Sequence, residues 1–182
     1  MKRYFYIILT TLMFAGCLNI KIKTELPKKT YYDLDTQKLE TTVCKEFSTI
    51  QIDGISSYSF LDNKNIFQKK SDGTIITIEN IQWLDNPKEM IKNILYKKAY
   101  KKCIILGRSV TKYKKSITIN LLFLGFMDNS ASIELGYSIR DEKFNTQKAG
   151  IIHKSKEQKD VAALQEITQQ ALETLLDLAS KD

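Results

Sequence analysis

The sequence predicts a single α+β (α/β) domain in which a mixed, largely antiparallel sheet packs against two main helices, the longer one C-terminal. Apolar and polar residues alternate over residues 131–140, as in a strand with one buried face. Apolar residues recur at helical spacing over residues 156–180. A length of 182 residues, 43% of them hydrophobic and 27% charged, suits one domain with short appendages.

The strands of the first half are short and separated by polar residues. The first is expected at residues 31–34 and the second at 48–55, where isoleucines alternate with polar residues. Residues 66–70 and 74–79 flank Ser-Asp-Gly, and Gly73 can adopt the positive φ of a tight turn. These two segments are therefore predicted to form a β-hairpin.

The first main helix is predicted to begin after Asn86, with Pro87 at its first position and Glu89 completing a capping box. Its core-facing stripe comprises Met90, Ile91, Ile94 and Leu95. Four lysines crowd its end, namely Lys97, Lys98, Lys101 and Lys102. Their charge complements the negative pole of the helix dipole, and contact with anionic lipid is the alternative.

The second half contains the strongest strand patterns and the longer helix. Residues 116–126 and 131–140 are expected to pair antiparallel, and the apolar run at 121–124 suits a central strand covered on both sides. A helix is predicted over residues 156–180, with Ser155 as its N-cap. Its apolar stripe comprises Val161, Leu164, Ile167, Ala171, Leu172, Leu175 and Leu178. The opposite face is polar, so the helix is expected to cover the sheet with one side.

The amino terminus has the pattern of an export signal. Two positive charges, Lys2 and Arg3, precede an uncharged stretch that ends at Ala-Gly-Cys, too short to remain as a spanning helix. Residues 14–17 resemble the lipobox of bacterial lipoproteins, although Phe14 stands where Leu is usual. We therefore predict a signal peptide at residues 1–16 and lipidation of Cys17.

Residues 17–29 are expected to form a lipidated tether, and residues 30–182 the folded domain. The tether has few large apolar residues, one proline and four lysines. Its acyl chains would hold the protein to a membrane. Leu18 occupies the position where Asp usually signals inner-membrane retention, which favours the periplasmic face of the outer membrane.

Charge and chemistry exclude several classes of function. Two positive charges of the net +7, Lys2 and Arg3, lie in the signal peptide that export would remove. The remaining lysines are scattered, so no nucleic-acid partner is expected. His153 is the sole histidine and has lysine neighbours, which disfavour the cation that a general base becomes. Asp141 and Glu142 are expected to be solvent-exposed carboxylates in a turn rather than a catalytic pair. No phosphate loop, nucleophile elbow or metal-ligand cluster is present, so no enzyme, cofactor or metal is predicted.

Two cysteines remain once Cys17 is lipidated. Cys44 and Cys103 form an even pair in a compartment that can be oxidising. They are expected to form either a disulfide or two buried free thiols.

The order of elements resembles the ABC-type transport auxiliary lipoprotein family, which includes the paraquat-inducible protein C type. The resemblance covers nearly all of the chain after Cys17. It rests on Tyr-Tyr-Asp-Leu at residues 31–34, Ser-Tyr-Ser-Phe-Leu-Asp-Asn at 57–63, Trp-Leu-Asp at 83–85 and the Ala/Leu-rich final helix.

This resemblance implies a noncatalytic accessory of a transporter that moves (phospho)lipid between membranes. Its partners would be an MCE-domain periplasmic protein with its ABC permease and ATPase, and protomers would be able to form a homo-oligomeric ring. The candidate contact residues are Tyr58, Phe60, Leu61 and Trp83, because aromatic side chains give large contact areas. Trp83 has a second interpretation as a core residue. The alternative function is an envelope lipoprotein with a structural or cell-wall-synthesis-activating role.

Overall fold

The computed structural model describes residues 28–36, 38, 41–108 and 113–181. The predicted signal peptide, Cys17 and the tether up to residue 27 lie outside them. In chain order the described elements are β1 (Thr30–Tyr32), β2 (Ser48–Ser57), a 3₁₀ helix (Ser59–Leu61), β3 (Asn65–Lys69), β4 (Ile75–Trp83), α1 (Pro87–Lys101), β5 (Ile104–Gly107), β6 (Lys115–Met127), β7 (Ser130–Asp141), β8 (Thr146–Lys156) and α2 (Val161–Ser180).

The eight described strands form one mixed sheet centred on β6. On one side β6 pairs antiparallel with β7, which pairs antiparallel with β8. On the other side β6 runs parallel to β2 along its first part and parallel to β3 at its end. β5 extends the sheet beside β2, while β4 and then β1 extend it beside β3. The longest ladders are antiparallel, which confirms the predicted fold class.

Both helices cover the same face of the sheet. α2 packs on β6, β7 and β8, whereas α1 packs on β2 and β5 and contacts α2. The core between the layers includes Ile117, Ile133 and Leu164, all fully buried. The opposite face, here called the outer face, carries Glu134 and its cross-strand neighbour His153. Among the described residues, neither helix is long and apolar enough to cross a bilayer.

The predicted hairpin and the start of α1 are confirmed, with one correction. Gly73 has φ of 85° in the turn between β3 and β4. Asn86 caps α1, since its side chain accepts a hydrogen bond from the Lys88 amide at 3.0 Å. The capping box is incomplete, however, because the Asn86 amide donates to Asp85 at 2.8 Å. The Glu89 side chain instead pairs with Lys92 one turn along the helix.

The predicted start of the C-terminal helix was wrong. Residues up to Lys156, including Ser155, belong to β8, and the helix begins at Val161. Asp160 is the N-cap and accepts from the Ala163 amide at 2.7 Å. The sequence pattern missed β8 because Ile152 is its only buried residue, so its strand conformation depends on pairing with β7. The four-residue strand β5 was also missed.

The lysines at the end of α1 bind acidic side chains of the same chain. Lys98 is buried and lies 3.6 Å from Glu173, and Lys102 pairs with Asp177 and Glu173. The hydrogen bond to Asp177 raises the pKa of Lys102 and lowers that of Asp177. Lys97 pairs with Asp35. These contacts join α1 to α2 and to the segment after β1, so they account for these three lysines without a lipid contact.

The segment that follows β1 is held against α2. The first strand ends at Tyr32, earlier than predicted, and Leu34 is fully buried. The Gln165 and Gln169 side chains donate to the main-chain carbonyls of Asp33 and Leu34 at 2.6 and 3.2 Å. The polar face of α2 therefore binds the beginning of the domain as well as meeting solvent.

Candidate partner-binding groove

A short 3₁₀ helix after β2 presents two of the predicted contact residues. Tyr58 precedes this helix, and its carbonyl accepts from the Leu61 amide at 2.9 Å. The Tyr58 amide donates to Leu121 on β6 at 3.4 Å, which ties the turn to the sheet. Tyr58 and Phe60 therefore project from a turn that is anchored on both sides rather than from a free loop.

Asp62 stabilises this turn through several hydrogen bonds. Its carboxylate accepts from the side chains of Ser57 and Lys88, both at 2.8 Å, and from Asn86 at 3.4 Å. The hydrogen bond from Lys88 is the largest cause of a lowered Asp62 pKa, followed by that from Ser57. The ionised Asp62 carboxylate thus links Ser57 at the end of β2 to Asn86 and Lys88 at the start of α1. These contacts fix the turn that carries Tyr58 and Phe60.

The aromatic side chains near this turn contact one another. The rings of Tyr58 and Phe60 are stacked, with centroids 6.1 Å apart and an interplanar angle of 16°. Phe60 meets Phe67 of β3 edge to face at 5.5 Å and 82°. Phe67 is nearly buried, whereas Tyr58 remains 53% exposed. The cluster therefore rises from the sheet to the surface.

These rings border a groove with a volume of about 220 Å³. Its lining combines the turn, the β3–β4 hairpin and the middle strands, through Tyr58, Phe60, Lys69, Ile75, Leu122, Phe123, Met127 and Glu134. Two other cavities, one along α2 and one beside the β7–β8 turn, have mainly charged and amide linings. The aromatic and aliphatic lining of the groove beside Tyr58 suits apolar side chains of a partner.

One charge of each sign lies on the rim of the groove. Lys69 lines it from the hairpin, and Glu134 lines it from β7. His153 of β8 lies beside Glu134, with 3.4 Å between Nδ1 and Oε1. A partner segment that carries one charge of each sign could pair with Lys69 and Glu134 while its apolar side chains contact the groove. Such pairing would fix the orientation of the bound segment.

Leu61 and Trp83 are corrections to the predicted contact set. Leu61 is 1% exposed and Trp83 is 0% exposed, so both belong to the core. Leu61 anchors the turn that presents Tyr58 and Phe60. Trp83 ends β4 beside β1, and its indole Nε1 has no hydrogen-bond partner among the described residues. The core interpretation of Trp83 is therefore the one that the structure supports.

Several groove residues were missed by the sequence analysis. Phe123 and Leu122 belong to the apolar run of β6, where a shift in register with β7 lies between Leu121 and Phe123. Both residues line the groove. The apolar run at residues 121–124 indicated that both faces of this strand are apolar. We interpreted it as a strand covered on both sides and not as part of a binding surface.

The remaining predicted sites lie elsewhere. Cys44 and Cys103 form a disulfide with their α-carbons 5.6 Å apart, at the end of the domain where β2 and β5 begin. Cys17 lies outside the described residues. Among the described residues, no group of three His, Cys, Asp or Glu side chains is placed to hold a metal ion. His153 is half exposed and contacts Glu134, as described above.

Solved structures share this fold at low sequence identity. A crystal structure of an uncharacterized protein has a TM-score of 0.63 at 12% identity, covering 84% of this chain and 97% of its own. Protein XCC0632 from Xanthomonas campestris, described with family DUF330, has a TM-score of 0.59 at 14% identity, covering 80% and 90%. The hypothetical protein CT253 from Chlamydia trachomatis has a TM-score of 0.51 at 6% identity, covering 72% and 94%.

No protein-family model and no curated protein matches the sequence. At identities of 14% and below, similarity of structure establishes a common fold and no more. The chain therefore has the mixed α+β fold of the DUF330 protein from Xanthomonas campestris.

Proposed function

We propose that this chain is a lipoprotein, acylated at Cys17 and held at the periplasmic face of the outer membrane. In this proposal it is a noncatalytic accessory of an MCE-type ABC transporter that moves lipid between membranes. The observation that carries the proposal is the groove beside Tyr58, an aromatic surface on the sheet face that the helices leave uncovered. The resemblance to transport auxiliary lipoproteins supplies the class of partner.

The groove is suited to docking by its shape and its rigidity. Tyr58 stacks on Phe60 and projects from a turn fixed by Asp62, so little conformational entropy is lost when a partner binds. Large, rigid aromatic side chains of this kind dominate many protein interfaces, where truncating one commonly costs about 2 kcal/mol or more. The MCE-domain protein is the expected occupant, with an apolar side chain between Lys69 and Glu134.

Site-specific photocrosslinking tests the docking role. A photoreactive amino acid replaces Tyr58 in one strain and Tyr100 of α1 in another, and both strains are irradiated alive. Tyr100 is the matched control because it is a tyrosine of the same 53% exposure on a helix that covers the other face. We expect position 58 to crosslink to an MCE-domain protein and position 100 not to. Crosslinks from position 58 to cell-wall-synthesis proteins would instead support the alternative function.

The membrane anchor has a separate test. Intact-mass measurement of the protein from its native cells is expected to show a chain that begins at Cys17 and carries acyl groups. A Cys17→Ser variant is expected to carry no acyl group. A wild-type chain that keeps residues 1–16 and carries no acyl group would contradict the anchor, whatever the groove binds.

A further inference from the structure

The end of the domain where β2 and β6 begin has a surface that the docking proposal does not use. We define this basal surface by Lys45, Phe47, Lys114, Lys143 and Phe144. Lys114 and Phe47 line one cavity of about 310 Å³. Lys114 also lines a second cavity with Lys143, beside the turn that carries Phe144. Lys114 lines both cavities and therefore lies between Phe47 and Lys143 at this end of the sheet.

Phe144 occupies a position that is unfavourable for a phenylalanine. It lies in the β7–β8 turn, where its amide donates to the Asp141 carbonyl at 3.0 Å, and its φ is 64°. Glycine and asparagine adopt this left-handed conformation with least strain. The Phe144 ring is also 64% exposed. An exposed ring at a strained turn position lowers stability, and such costs are characteristic of functional sites.

A second exposed ring is held at the same end. Phe47 is 57% exposed and directly precedes β2. The disulfide between Cys44 and Cys103 fixes the segment before it, and the Ser48 amide after it donates to the Cys103 carbonyl at 3.1 Å. Phe47 is therefore presented by a fixed loop.

Lysines lie between and around the two rings. Among the described residues of the strand ends and turns here, the basic ones are Lys45, Lys114, Lys115, Lys143, Lys148 and Lys181, and the acidic ones are Glu46, Asp141 and Glu142. Lys115 and Lys148 donate to main-chain carbonyls at the end of α2, at 2.6 and 3.3 Å. The Asp141 carboxylate accepts hydrogen bonds within its own turn. The described basic residues therefore outnumber the acidic ones by six to three, Asp141 included.

We propose that the basal surface binds the surface of an anionic lipid bilayer. Phe47 and Phe144 would enter the headgroup region while Lys114 and Lys143 meet lipid phosphates. Basic residues interleaved with exposed aromatic rings are typical of membrane-surface contacts. Cores of protein interfaces, in contrast, are continuous and poor in charged residues. The inference depends neither on acylation of Cys17 nor on the partner of the groove.

Tryptophan quenching measures this contact by position. The chain carrying Cys17→Ser with Phe144→Trp is mixed with vesicles that contain brominated phosphatidylglycerol, and Cys17→Ser with Ile151→Trp is the control, so that no acyl group contributes to binding. Ile151 is 65% exposed but lies midway along β8. The natural Trp83 is fully buried and gives the same background in both proteins. Quenching is expected for the tryptophan at position 144 and not for the one at 151, and it should weaken in phosphatidylcholine vesicles.

Charge and ring variants make the proposal falsifiable without loss of fold. Phe144→Gly is expected to fold at least as stably as wild type, since glycine suits φ of 64°, yet to bind the vesicles about tenfold more weakly. Lys114→Gln and Lys143→Gln should each weaken binding about fivefold. Equal quenching at positions 144 and 151 would overturn the proposal. So would binding of an acidic protein by this surface without any binding to anionic vesicles.

Discussion

Gly125 of β6 lies so close to Phe67 of β3 that an added Cβ would be 2.4 Å from the Phe67 carbonyl oxygen. The two residues are partners in the parallel pairing of these strands. The same Cβ would lie 3.3 Å from the ring of Phe123, which lines the groove. The absence of a side chain at Gly125 therefore lets β3 approach β6 and brings Phe67 under the aromatic cluster.

Substituting this glycine should destabilise the domain. We expect Gly125→Ala to lower the free energy of unfolding by about 1–3 kcal/mol, because backbone at 2.4 Å must move. Gly136→Ala is the control, since its nearest neighbour would be at an ordinary 3.6 Å. Urea unfolding of both variants measures the difference. Equal stability of the two variants would contradict the close approach.

Tyr58 and Leu61 should have opposite effects although they are three residues apart. Tyr58→Ala removes an exposed ring, so it should leave folding nearly unchanged while weakening partner binding at least tenfold. Leu61→Ala should cost about 2–5 kcal/mol of stability because the side chain is fully buried. Unfolding curves and binding to the partner captured by crosslinking give the two readouts. A large loss of stability in Tyr58→Ala would refute the assignment.

The hydrogen bonds of Asp62 predict a dependence of stability on pH. The folded chain lowers the pKa of this carboxyl below 3.8, chiefly through the hydrogen bond from Lys88. Its contribution is therefore present above pH 3.8 and lost as the pH falls through the lower, folded value. Wild type should be more stable than Asp62→Asn at neutral pH and lose that advantage in acid. Denaturant unfolding of both proteins across this range tests it, and an advantage that persists in strong acid would count against the assignment.

The disulfide should contribute substantially to stability. Cys44 and Cys103 are 59 residues apart, and in the chain-entropy model a closed loop of this length stabilises the fold by about 4 kcal/mol. The double substitution Cys44→Ser with Cys103→Ser is expected to lose most of that amount in thermal unfolding. Peptide mapping of the wild-type protein without reductant should recover the two cysteines in one linked fragment. Two free thiols in protein from the cell envelope would contradict the pairing.

Local patterns in the sequence were enough for most of the fold. The turn at Gly73, the N-cap at Asn86 and the alternation along β7 depend on neighbouring residues, so each could be predicted from its own segment. The signal and lipidation of Cys17 likewise come from local residues and stay predictions. By contrast, β8 has a single buried residue and β5 is only four residues long, so both form through pairing with distant strands.

The candidate sites depend on tertiary structure to a greater degree. The sequence identified Tyr58, Phe60, Leu61 and Trp83 as one group of aromatic and apolar residues. Only folding separates the exposed Tyr58 and the partly buried Phe60 from Leu61 and Trp83 in the core, because burial depends on which strand and helix cover each position. The groove and the basal surface likewise join residues from distant segments. A local sequence pattern determines the secondary structure that one segment favours, whereas a binding surface forms only when several segments pack together.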